Sequence, residues 1–207
     1  MENENNKNQE DYSYQGVGEF ILEIIKVVAL AFIIIVPIRV FLFQPFFVQG
    51  ASMEPNFEDG QYLIINEFGY KETNIKIGDH SILDVNSFKD IERQRVVVFR
   101  YPLNPQKFFI KRVIGLPGEK IQIKDGEIKI FNKEHPDGFV LDEKSYIPIS
   151  NQTKGDEVIN LNDNQYFVLG DNRLYSSDSR VWGPVPKEDI IGEVSLRAWP
   201  LDKLSIY

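Results

Sequence analysis

The residues with the most chemical promise are a serine, a lysine and a short polar cluster. Ser52 stands in GASMEP, directly after a long apolar run and ahead of Met53, Glu54 and Pro55. Gly50 permits unusual backbone angles, and Pro55 fixes its own φ while pushing Glu54 toward extended geometry, so this turn is rigid enough to hold a nucleophile. Lys111 stands in KFFIKRVIGLPGE, within a strand-like apolar stretch. Strand alternation sends Lys111 and Arg112 to opposite faces, and one of them must meet a face otherwise lined by apolar residues. Arginine keeps its charge almost unconditionally, whereas lysine gives it up when desolvated. Deprotonating an ordinary lysine near neutral pH costs about 4 kcal/mol, and burial lowers a lysine pKa by up to about 3–5 units. A buried Lys111 is therefore a workable general base. The cluster is GDNRLYSSDSRVWGPV at 170–185, where Ser176, Ser177 and Ser179 crowd around Asp178 and Arg180. Taken singly, each feature has a plainer reading: a turn serine, a snorkelling edge lysine, a polar loop with one local ion pair.

Other chemistries are disfavoured by composition. The chain has no cysteine, which removes disulfides, thiolate metal sites and cysteine nucleophiles together. Its two histidines, His80 and His135, lie in turn-like GDHSIL and KEHPDG. A histidine metal cluster is excluded on that count, and a Ser-His-Asp triad would have to recruit one of the two. No metal or cofactor is expected. The net charge of −8, without any Lys/Arg cluster, argues against nucleic acid as a partner.

These residues must be positioned by a chain of distinct parts. Residues 1–19 are polar and rich in Asn and Glu, the composition of a disordered tail. Residues 20–43 are apolar all round and about long enough to span a bilayer, with Lys26 and Arg39 placed to snorkel. Lys7 and Lys26 lie on or toward the N-terminal side and 44–62 holds no basic residue, which favours a cytoplasmic N-terminus. From residue 44 on, short runs rich in β-branched and aromatic residues alternate with turn signals. These are 62–65, 96–99, 108–115, 166–170 and 190–199. At 121–130 the Asp125-Gly126 pair predicts a two-residue hairpin with Ile123 facing Ile128 and Ile121 facing Ile130. The expected fold class is mainly antiparallel β, after one transmembrane helix. Residues 71–95 and 132–160 read as polar insertions, the second within a small lobe near 121–160.

The blocks FLFQPFFVQGASMEP, DGQYLIINEFGY, FIKRVIGLPGE and GDNRLYSSDSRVWGPV, in that order behind an apolar segment, resemble type I signal peptidases. These are membrane-anchored Ser/Lys proteases that remove signal peptides from exported proteins. The resemblance implies a signal-peptidase-like β domain at 44–207, outside the plasma membrane and held to it by 20–43. It implies Ser52 as nucleophile, Lys111 as general base and Ser176 as the serine that hydrogen-bonds the lysine. Asp178 and Arg180 become a supporting ion pair. The partners implied are signal peptides and membrane lipid. Some relatives carry an oxyanion-binding hydroxyl where this chain has Gly50, and Leu174 and Tyr175 are less polar than is common after GDNR. Val48, Met53 and Ile110 are the expected walls of shallow pockets for small side chains. A different Ser/Lys protease and a catalytically silent β domain are the competing readings.

Overall fold

A computed structural model of the chain describes residues 2–41, 43–70, 73–77, 80–85, 87–148 and 151–207, with side chains described outside 2–15, 36–41, 73–77 and 81–85. By its contacts the chain divides into two units, Met1–Leu42 and Phe43–Tyr207.

The first unit is one helix, α1 (Glu2–Phe41). It takes in the polar residues expected to be a disordered tail. The physical reason is that once an apolar helix is nucleated, extending it costs little per residue, and nothing in 2–19 is a proline. Among the described residues no helix is long and apolar enough to cross a membrane. The C-terminal part of the span expected at 20–43 lies outside the described side chains.

In chain order the second unit holds β1 (Phe43–Phe47), β2 (Tyr62–Asn66), β3 (Thr73–Ile77), β4 (His80–Val85), β5 (Val96–Tyr101) and β6 (Asn104–Gly115). Then follow β7 (Lys120–Lys124), β8 (Glu127–Phe131), β9 (Phe139–Val140), β10 (Glu157–Asn160) and β11 (Gln165–Leu169). The short helix α2 (Ser179–Trp182), β12 (Val185–Pro186), β13 (Ile190–Trp199) and β14 (Ser205–Ile206) complete it. The main sheet runs β1-β2-β13-β5-β6-β11-β12, with β14 on β13. Every pair in it is antiparallel.

Strand β5 explains why its sequence is a continuous apolar run rather than an alternation. Val96 and Val98 enter one core cluster with Val48, Met53, Phe57 and Leu63, while Val97 and Phe99 enter another with Val113, Tyr166 and Val168. The strand is covered on both faces, so both sets of side chains must be apolar.

A second sheet, β10-β7-β8-β9, has its own core. Its central hairpin turns at Asp125 (φ 51°) and Gly126 (φ 87°), the positive angles a two-residue turn requires. The register is the expected one, Ile123 opposite Ile128 and Ile121 opposite Ile130, with all four side chains at most 1% exposed. Residues 71–95, expected as a polar insertion, contain the β3–β4 hairpin, with 71–72, 78–79 and 86 outside the described residues.

Candidate active site

Ser52 sits in the turn that follows β1. The turn is pinned from below and from the side. Met53 and Phe57, four residues apart, are 1% and 0% exposed, and the Phe57 N–H donates to the Met53 carbonyl at 2.9 Å. Asn172 holds the turn from the side: its backbone N–H donates to the Ser52 carbonyl and its Nδ2 to the Ala51 carbonyl, each at 3.0 Å. Gly50 adopts φ +86° and spends its N–H on Asp59 Oδ1 at 2.6 Å. Among the described residues the Ser52 N–H has no protein acceptor, so it is available to a ligand.

Lys111 lies on β6, flanked by β5 and β11 in the sheet, and is 3% exposed. Its Nζ donates to Ser52 Oγ at 2.7 Å and to the Ile110 carbonyl at 2.8 Å. Burial pushes its pKa down to about 8, against the smaller upward pull of Asp178 and Asp171. Arg112, its neighbour, is resolved differently. Its Nε and Nη2 meet the two oxygens of fully buried Asp171 at 2.8 and 2.5 Å. Its guanidinium also lies 4.2 Å from the centroid of the Tyr146 ring. Arg112 thus keeps a compensated charge, while Lys111 carries its charge at a loss.

The 170–180 segment is built around Asp178. Its carboxylate, 0% exposed, takes both Nε and Nη2 of Arg180 at 2.8 Å and accepts from the Gly170 N–H at 3.1 Å. Ser179 uses its Oγ to accept from the Val168 N–H at 3.0 Å, tying α2 to β11. Ser177 is exposed. Ser176 departs from expectation. Its Oγ is buried with no hydrogen-bond partner among the described residues, because Lys111 directs its bonds to Ser52 and Ile110 instead. His80 and His135 are both exposed.

Residues 21–199 match the family described as "Signal peptidase, peptidase S26". The chain belongs to this family. It is 33% identical to signal peptidase IB of Staphylococcus aureus strain COL, over 88% of this chain and 92% of that protein. It is 35% identical to signal peptidase I V of Bacillus subtilis strain 168, over 74% and 84%. A crystal structure of a signal peptidase I from Enterococcus faecalis V583 aligns with a TM-score of 0.43 at 29% identity, covering 53% of this chain and all of that one.

For a signal peptidase, the surroundings of the serine matter as much as the serine. A cavity of about 730 Å³ opens beside Ser52 and Lys111. Val48 and Ile110 line it, together with Phe46, Ala51, Leu63 and Val98. Met53 does not; it is packed beneath, in the core, because the turn that exposes Ser52 directs the next side chain inward. Sequence reading missed Asp171 as the partner of Arg112, and Leu63 and Val98 as lining. The signal for the last two lay in their strands, since β2 and β5 must offer alternate residues to a common face.

Proposed function

We propose that this chain removes signal peptides from exported preproteins with Ser52 as nucleophile and Lys111 as general base. The carrying observation is a buried amine, without a carboxylate partner among the described residues, 2.7 Å from a serine hydroxyl. That is hydrogen-bond reach for proton transfer. With a pKa of about 8, holding Lys111 neutral at pH 7 costs about 1.4 kcal/mol, a third of what an ordinary lysine would demand.

Neutral Lys111 takes the hydroxyl proton as Ser52 Oγ attacks the carbonyl of the last signal-peptide residue. The Ser52 N–H, without an acceptor among the described residues, donates to the developing oxyanion. Lys111 then returns the proton to the departing amine, leaving an acyl-enzyme and a free mature N-terminus. A water deprotonated by the same amine hydrolyses the ester. Asp178 and Arg180 hold the turn at Gly170, and Ser176 offers its unpartnered oxygen to the second N–H of the neutral amine. Val48 and Ile110 shape shallow pockets for small side chains before the cut.

The same reading places α1 in the membrane as an anchor and the β unit on its extracytoplasmic side. Support comes from side chains such as Val27, Phe32 and Ile33, each at least 67% exposed. Phe43 and Phe47, exposed on β1, fit contact with lipid headgroups. The test is incubation of the purified chain with a preprotein, wild type beside Ser52→Ala and Lys111→Ala. Cleavage by wild type alone is expected; equal processing by all three overturns the assignment. Carbonate extraction of membranes checks the anchor, which fails if the chain is released.

A further inference from the structure

The loop between β9 and β10 reaches out of the small lobe and grips the supports of both Ser52 and Lys111. Glu143 holds Arg173 through Oε1 to Nη2 at 2.6 Å and Oε2 to Nη1 at 3.1 Å. Thr153 Oγ1, 1% exposed, accepts from Arg173 Nη1. Arg173 is itself 2% exposed; its Nε donates to the Gly170 carbonyl at 3.0 Å, and its own carbonyl accepts from Arg180. Asn151 Nδ2 donates to the Asp171 carbonyl at 2.7 Å. The same loop offers the Tyr146 ring to Arg112, the Tyr146 hydroxyl to Glu143 at 2.8 Å, and the Tyr146 carbonyl to Asn56 Nδ2 at 2.7 Å. Asn56 in turn donates to Asp171 Oδ2 at 2.8 Å.

Two short routes lead from this loop to the reacting groups. One runs Glu143–Arg173–Gly170 and on to Asn172, which donates to the carbonyls of Ser52 and Ala51. The other runs from Tyr146 to Arg112, the next residue after Lys111. Resting on the function proposed above, we infer that Glu143, Tyr146, Asn151 and Thr153 are positioning residues for the Ser52–Lys111 pair, and that the small lobe is a working part of the catalytic apparatus.

The energetic reason lies in Arg173. A buried guanidinium stripped of its carboxylate is strongly unfavourable, so it moves to find water and carries the 170–173 turn with it. A shift of about 1 Å at a reacting centre costs on the order of 10²-fold in rate.

The deciding experiment is cleavage of a signal-peptide substrate by full-length enzyme in detergent. Wild type, Ser52→Ala, Glu143→Gln, Asn151→Ala and Glu134→Gln are compared, Glu134 being exposed in the same lobe. Rates are expressed per folded molecule, with the folded fraction taken from the unfolding curve. Glu143→Gln is expected to lower kcat by at least about ten-fold, with KM within about two-fold. Glu134→Gln should match wild type. If Glu143→Gln does not accumulate, Asn151→Ala, which leaves every charge in place, decides by a fall in kcat of about three-fold or more at constant KM. An unchanged kcat per folded molecule, or a change in KM alone, overturns the inference while leaving the peptidase reading intact. A Ser52→Ala enzyme that still cleaves overturns both.

Discussion

Lys111 and Arg112 are adjacent on one strand, 3% and 11% exposed, yet among the described residues only Arg112 has a carboxylate for a partner. Asp171 compensates the arginine, and the Tyr146 ring covers it. The lysine faces a hydroxyl and a carbonyl, neither of which offsets a full positive charge. This asymmetry separates a structural cation from a base, and the expectations below follow from it.

Activity should rise with pH through a single basic limb. With the Lys111 pKa near 8, kcat/KM climbs about ten-fold per pH unit up to that point and then levels. Asp178 pulls this pKa upward, so Asp178→Asn should move the limb to lower pH. It should also destabilise the protein, since it strands Arg180. A pH–rate profile on a peptide substrate checks both. A limb near 6.5 that ignores Asp178 would point to a histidine instead.

The same burial has a stability signature with a definite sign. In the unfolded chain Lys111 titrates near 10.5, in the fold near 8. Below about pH 8 both states hold the proton, and the fold bears the full cost of burying it. Between about 8 and 10.5 the unfolded chain binds more protons, so stability rises with pH. Above that the cost is gone. The interval corresponds to about 3 kcal/mol. Lys111→Met should therefore be inactive yet more stable than wild type at pH 7, by up to that amount. The gap should shrink to under about 1 kcal/mol by pH 10. Denaturant unfolding of both proteins at pH 7 and 10 measures it, and a variant less stable at both pH values sinks the argument.

Ser176 offers a separate test. Its hydroxyl is buried without a partner while Lys111 is bonded to Ser52 and Ile110. Once the amine is neutral, its lone pair must turn to the Ser52 hydroxyl, and its N–H groups need acceptors. Ser176→Ala should leave stability within about 0.5 kcal/mol, since no bond is lost in the resting state. It should reduce kcat by about ten-fold or more. Thermal unfolding together with kcat decides; a fall in stability with kcat intact would make Ser176 a structural residue only.

What could be read from the chain and what could not divide along the range of the interactions. The Asp125-Gly126 hairpin was legible because turn type and alternation are both local, and together they leave one register. Lys111 stood out because a charged residue clashes with its apolar strand, and Ser52 because it sits in a rigid turn just after an apolar run; their roles came with the resemblance. Met53 was misplaced because adjacency to a nucleophile says nothing about which way a turn sends the next side chain. The pairing of Arg112 with Asp171, and of Arg173 with Glu143, was invisible. Each joins segments far apart in the chain, and nothing local distinguishes a buried ion pair from two solvated charges.

Gly170 closes the set because it joins the serine's support to the lysine's. A Cβ at this position would collide with Ser176 Oγ and Cβ and with the Ser52 carbonyl oxygen. The hydroxyl can swing aside, but the carbonyl is backbone, held by Asn172 in the turn that presents the nucleophile. The Gly170 N–H is also committed to Asp178, which blocks retreat in the other direction. Gly170→Ala should thus cost on the order of 1–3 kcal/mol in stability, the usual penalty for overpacking. It should lower kcat by about 10²-fold in whatever fraction folds, because the relief comes from moving Ser52. Pairing it with Ser176→Ala removes the hydroxyl but leaves the Cβ of residue 176 and the Ser52 carbonyl oxygen in the way, so the double variant should recover stability only in part and activity hardly at all. Unfolding curves and kcat for the single and double variants measure both effects, and full recovery of activity in the double variant would show that the serine hydroxyl, and not the backbone at Ser52, sets the constraint.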